Sequence, residues 1–146
     1  MKTPYLKDNR LYEVIGLIQV LAFDIDTSRS ETGIASELSQ KPISGSSWIQ
    51  IATEHPKLFR VRSGTNQKKR AALISRYVLE YEDHEEHSKG KRPPLDPNLV
   101  TKLIDTAIEL HDRQLQRKEK WKVIVPMLVA VIAAIAAITS AFIGNS

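Results

Sequence analysis

The chain has 146 residues, 42% of them hydrophobic, no cysteine, and 21 basic against 17 acidic side chains for a formal net charge of +4. Less its apolar tail, that length holds one small domain with connecting segments and excludes two full cores. Without cysteine, disulfide staples and thiolate chemistry are excluded, and the fold has to stand on packing alone.

The amino terminus, MKTPYLKDNR, places charges and a proline where a secretory leader needs an unbroken apolar stretch, so the chain is expected to begin on the side of the membrane where it is made. A first helix is predicted from near Asp8 to about Phe23, with Leu11, Ile15, Ile18 and Ala22 on one face and Val14, Leu17 and Leu21 beside them. Ser28-x-x-Glu31 has the pattern of a capping box and announces a second, shorter helix whose Ile34, Ala35 and Leu38 share one side. A third helix, from about Ser46 to His55, is expected to bury Trp48, Ile51 and Ala52 and to turn Ser47, Gln50, Thr53 and Glu54 outward, with Pro56 marking its end. Three helices are thus expected before any strand.

After Pro56 the period changes. Leu58 to Arg62 alternates apolar with basic, Ser63-Gly64-Thr65-Asn66 supplies turn residues, and Lys69 to Leu79 is a second run rich in strand formers, which together predict a hairpin. Charge is partitioned in the same way: residues 1–56 carry five basic and seven acidic side chains, whereas 57–79 carry seven basic and none acidic. The ETGIASELSQ and SSWIQIATEHP helices followed by the LFRVRSGTNQKKRAALISRYVL hairpin resemble a winged helix-turn-helix domain over residues 8–80. The fold class expected is therefore mainly α with a small β-hairpin: a winged-helix domain, then a long helical stalk continuous with one transmembrane helix.

The resemblance implies that the third helix enters a major groove while the wing touches the backbone. Arg60, Arg62, Lys68, Lys69 and Arg70, with Arg76 behind them, are the candidates for phosphate contact. The third helix has no arginine or lysine, so base reading would fall to Gln50 and Ser47, and sequence preference should be low. Two other readings fit the same charges. Basic residues on a hairpin blunt an exposed sheet edge, and they are also attracted to anionic lipid headgroups.

The next segment, EYEDHEEH, gives five negatives in eight residues, Glu80, Glu82, Asp83, Glu85 and Glu86, and reads either as a cover for the unbound wing or as a solvated run. SKGKRPPLDP is a linker, and Asp96-Pro97 opens a new helix. That helix, 97–122, carries Val100, Leu103, Ala107 and Leu110 on one seam and Ile104, Ile108 and Leu115 on another, enough to pack back on the domain or to form a short coiled coil between copies.

Val123 to Ile143 then runs without a charge, and at about 1.5 Å per residue it covers roughly 30 Å, the thickness of the hydrocarbon layer. Pro126 is placed in the first turn of this span, where a missing N–H costs little. Arg117, Lys118, Lys120 and Lys122 precede it on one side and Trp121 suits the headgroup level, so a single-pass, tail-anchored topology with a cytoplasmic amino terminus follows. Ala130, Ala134, Ala137 and Ala141 recur at steps of three and four and offer a small-residue stripe for self-association. The domain reading is 1–80 winged helix, 81–96 charged linker, 97–122 stalk and 123–143 transmembrane helix.

His55, His84, His87 and His111 have no nucleophile or acid at triad spacing, and no glycine-rich phosphate loop is present, so neither enzymatic activity nor a catalytic residue, metal or cofactor is expected. The layout resembles, in outline, the one-component regulators tethered to a bacterial inner membrane, though without their external sensing domain. Expected partners are the lipid bilayer, DNA or another nucleic acid, and a second copy of the chain. In an alternative reading, a small membrane effector or adaptor docks a protein partner through its winged helix and oligomerises through its span.

Overall fold

The computed structural model describes residues 4–64, 68–78 and 92–143, with side chains as far as Ala136. The acidic run 80–86, His84, His87 and the stripe positions Ala137 and Ala141 lie outside the described residues or side chains. The chain divides into two compact units, Met1–His111 and Asp112–Ser146.

In the first unit a 3-10 turn, Pro4–Leu6, leads into α1 (Arg10–Phe23), β1 (Arg29–Ser30), α2 (Glu31–Leu38), α3 (Trp48–Glu54), β2 (Phe59–Ser63), β3 (Lys69–Leu73), a second 3-10 turn (Ile74–Tyr77) and the start of α4 (Pro97–Ile143). The sheet is antiparallel with order β1-β3-β2. Mainly helical content with a small sheet and a long C-terminal helix agrees with the expected class. The sheet has a third strand, however, because Arg29 and Ser30 pair with Ala71 and Arg70 before α2 begins.

Capping chemistry accounts for most of the displaced boundaries. Asn9 adopts the left-handed conformation (φ 61°), so α1 starts at Arg10 and not at Asp8. Ser30, two residues after the expected cap, accepts the amide of Gly33 and starts α2. Glu31 does not turn back on its own helix: its carboxylate accepts the amides of Trp48 (3.0 Å) and Ile49 (2.9 Å) at the head of α3. Ser47 accepts the amide of Gln50 at 3.0 Å, so the first three amides of α3 are all satisfied from within the chain. β3 ends at Leu73, six residues short of the expected Leu79, where the chain turns into the 3-10 segment.

The core is built from Val14, Leu17, Ile18 and Leu21 of α1, Ile34 of α2, Trp48 and Ile51 of α3, and Phe59, Ala71 and Leu73 of the inner sheet face. Leu95, Val100 and Ala107 join the same cluster, with Leu99, Leu103, Ile104 and Leu110 packed against it. Val100, Leu103, Ile104, Ala107 and Leu110 are therefore spent on the domain, while Ile108 is exposed.

Tyr5, His55 and His111 form a polar seam within this unit. The rings of Tyr5 and His55 meet edge to face at 4.3 Å, and His111 Nδ1 lies 2.9 Å from the Tyr5 carbonyl. His55 is buried with Nδ1 at 2.7 Å from the Ile51 carbonyl. A carbonyl only accepts, so Nδ1 carries the proton, and Nε2 has no partner among the described residues. Burial holds the His55 pKa below the usual histidine range, a pull opposed by the Ile51 hydrogen bond. Below the unfolded histidine value of about 6.5 the unfolded chain takes up a proton that the folded chain refuses, so stability is present above that pH and falls as pH drops toward the folded value. The melting temperature should decline between pH 7.5 and 5.5, and His55→Asn should flatten that decline. An equal decline in the variant would assign the dependence to other groups.

In the second unit α4 continues through Ile143 with Pro126 inside it, not in a first turn, so the carbonyl of Lys122 loses its helical amide. Trp121, Val123, Ile124, Met127, Leu128, Val131, Ile132 and Ile135 are all exposed. Among the described residues no helix is long and apolar enough to cross a membrane. The uncharged run is described with side chains only over its first fourteen positions, 123–136.

Candidate nucleic-acid interface

The hairpin sorts its basic residues onto two faces. Strand alternation puts Phe59, Val61, Ala71 and Leu73 toward the core, while Arg60, Arg62 and Arg70 take the outer face. Arg62 stands directly opposite Arg70 in the register, two like charges side by side on one ladder rung. Lys69 falls on the inner side of the strand end, and with Lys68 it borders a hollow lined also by Ser30, Glu31, Thr32, Ser47 and Ile49.

Tyr77 organises the outer face. The 3-10 turn after β3 brings its ring beneath the guanidinium of Arg62 at 4.9 Å from the ring centre, with Arg60 at 5.8 Å. Arg92, from the chain returning toward α4, lies over the same ring at 5.0 Å. Three guanidinium groups thus lie within about 6 Å of one ring centre, each attracted by the negative ring face. Arg70 is braced separately: its guanidinium donates to the hydroxyl (3.0 Å) and the carbonyl of Ser28 and lies 3.9 Å from Asp26. Between these groups is a cleft of about 260 Å³ lined by Thr27, Ser28, Arg62, Ser63, Gly64, Arg70, Tyr77 and Arg92. Three guanidiniums, two serine hydroxyls and one threonine hydroxyl surround it, and among the described residues no carboxylate lines it.

Arg76 does not belong with the phosphate-contact candidates. It is fully buried, and its Nη1 donates to the carbonyls of Leu21 (3.2 Å), Asp24 (2.7 Å) and Asp26 (2.9 Å), while Nη2 donates to those of Arg92 and Pro93. Burial pulls its pKa below the usual arginine value, against the attraction of Asp24 and Asp26.

The third helix offers little for reading bases. Ser47 is its N-cap, and Gln50 accepts from the amide and hydroxyl of Ser46 (both 2.7 Å) and donates to Glu54 (3.0 Å). Glu54 in turn is bound by Lys7 at 3.1 Å and by Arg10. Burial pushes the Glu54 carboxyl up, but the Lys7 and Arg10 hydrogen bonds and charges outweigh it and hold its pKa below the usual range. Thr53 donates to the Ile49 carbonyl within its own helix.

Arg60, Arg62 and Arg70 are thus brought together, Lys68 and Lys69 lie across the hairpin from them, and Gln50 and Ser47 are engaged elsewhere. Tyr77 and Arg92 are the additions that sequence reasoning missed. An aromatic shortly after a hairpin whose first strand alternates arginines was a visible signal; Arg92, fifteen residues further on, carried none.

In the second unit Arg117, Lys118, Lys120, Trp121 and Lys122 are all exposed, as are Ala130 and Ala134 one helical turn apart. Among the described residues no group of acidic side chains and histidines is arranged to hold a metal ion. In comparisons with known proteins, no family model, no curated protein and no solved structure matches this chain.

Proposed function

We propose that this chain is a membrane-tethered winged-helix binding module that contacts nucleic acid through its basic hairpin. The observation that carries the reading is the outer hairpin face, where Arg60 and Arg62 stand with Arg92 around Tyr77, Arg70 borders the same cleft, and no carboxylate lines that cleft among the described residues. Like charges held this close repel, and a polyanion relieves the repulsion. The element order helix, strand, helix, helix, two-stranded hairpin supports the winged-helix assignment, since β1 pairs with the far strand of the hairpin as a third, flanking strand. Because α3 has its polar groups engaged internally, binding is to the phosphate backbone and largely indifferent to sequence.

The tether rests on the uncharged run 123–143 behind Lys118, Lys120, Trp121 and Lys122. Exposed apolar side chains all round its described part support it, because such a surface needs lipid or another chain against it. The positive flank supports a cytoplasmic amino-terminal unit, and the outline resemblance to tethered one-component regulators supports a bacterial inner membrane.

With the full-length protein in nanodiscs of neutral lipid, anisotropy of a labelled duplex should report binding that weakens steeply with salt. Arg60→Gln with Arg62→Gln should lower the slope of log affinity against log salt by about two, close to one for each phosphate no longer neutralised. An unchanged slope, or no binding of duplex or single strand at low salt, would favour the adaptor reading. That second reading has its own support in Phe23 (50% exposed) and Ile25 (72% exposed), which border a hollow with Val20, Arg29 and Glu37 suited to a protein partner.

A further inference from the structure

The geometry points to the cleft between Arg62, Arg70 and Arg92 as a subsite for one phosphodiester group of a nucleic-acid strand, with Arg92, from outside the hairpin, as an essential member. This deepens the reading above and rests on it.

Four observations converge. Arg62 and Arg70 face one another across the β2–β3 ladder, a like-charge repulsion that Asp26, 3.9 Å from Arg70, offsets only in part and that an anion between them would relieve. Arg92 is carried to the same place from beyond the hairpin, and its guanidinium and that of Arg62 lie over the Tyr77 ring at 5.0 and 4.9 Å. A guanidinium placed by a ring and by backbone contacts loses less side-chain freedom when its fork meets phosphate oxygens. Arg70 is set in place by Ser28, and the Arg92 backbone is clasped from below by Arg76, whose own carbonyl receives the Arg92 Nη1 donor at 3.0 Å. These are cations whose positions the fold already determines, which is what separates a subsite from a solvated basic surface. Phosphate is the matching chemistry, because its oxygens can accept from several arginine forks at once. The hairpin's lysines, on the opposite face, are not part of the subsite.

The test uses the full-length protein in phosphatidylcholine nanodiscs, with inorganic phosphate, a labelled duplex and vesicles containing phosphatidic acid as probes. At constant ionic strength, phosphate in place of chloride should raise the melting temperature of the wild type and of Lys68→Gln/Lys69→Gln. It should not do so for Arg62→Gln or Arg92→Gln. Arg92→Gln should also reduce the salt slope of duplex binding by about one, and Arg92→Lys, which keeps the charge, should restore most of it. The melting temperature in chloride checks that Arg92→Gln still folds, and Arg62→Gln, on an exposed strand position, provides a second variant.

Duplex binding that is identical with and without Arg92 would overturn the subsite and leave the hairpin reading intact. A phosphate response through Arg92 together with binding to phosphatidic acid vesicles but to no duplex would overturn the nucleic-acid assignment and the hairpin reading together.

Discussion

Replacing Arg76 with methionine should cost about 3–5 kcal/mol, a large fraction of the stability of a domain this size. The side chain is fully buried and gathers carbonyls from three places: Leu21 at the end of α1, Asp24 and Asp26 in the loop before β1, and Arg92 and Pro93 in the returning chain. α1 has no basic residue in its last turn, so Arg76, from 55 residues downstream of Leu21, supplies the cation that the carboxyl end of the helix favours. Methionine of similar length fills the space but leaves those carbonyls without a donor in a place where water is excluded. Lysine keeps the charge but cannot span both groups of acceptors, so Arg76→Lys should recover only part of the loss. Urea unfolding followed through Trp48 in a Trp121→Phe background would measure this. A midpoint within experimental scatter of the parent would mean that water satisfies the carbonyls.

The second large effect is expected at Glu13. This buried carboxylate accepts the amides of Ile43 and Ser44 and the Ser44 hydroxyl, while the neighbouring Arg10, fully buried, donates to the Ser44 hydroxyl and carbonyl (both 2.6 Å) and to Glu54. The loop between α2 and α3 is thereby fastened to α1 by charge-assisted bonds. Glu13→Ala strands two loop amides and takes the acceptor from the Ser44 hydroxyl that Arg10 also holds, so a loss of about 2–4 kcal/mol is expected. Glu13→Gln keeps an acceptor oxygen and should lose about half as much. A double-mutant cycle with Ser44→Ala should show strong coupling between the two positions, and additive losses would contradict the network.

What the sequence made legible was the apolar periodicity. The three helices and the hairpin, with the buried faces of α1 and α3, follow from spacing alone, because burial of those faces is what folds the chain. What stayed hidden depends on contacts between distant residues. β1 is two residues long and acquires its conformation only by pairing with β3, so no local pattern announces it. Glu31 has the spacing of a capping box with Ser28, yet its carboxylate caps a different helix, and Ser28 is taken by Arg70 instead. Seven basic side chains in 57–79 look equivalent in sequence; the fold buries Arg76 as a structural clamp, braces Arg70, and stacks Arg60 and Arg62 on a tyrosine. Charge counting finds a basic block, but only the pairing register and the path of the returning chain decide which cations converge.

Flotation of liposomes carrying the full-length protein with a labelled duplex tests most directly whether a basic hairpin acts at a membrane. At low salt the protein and the duplex should rise together, and at high salt the protein should rise alone, because phosphate contacts dissolve while apolar insertion does not. Protein left at the bottom of the gradient, or liposomes that carry the protein but leave the duplex behind at low salt, would contradict the account.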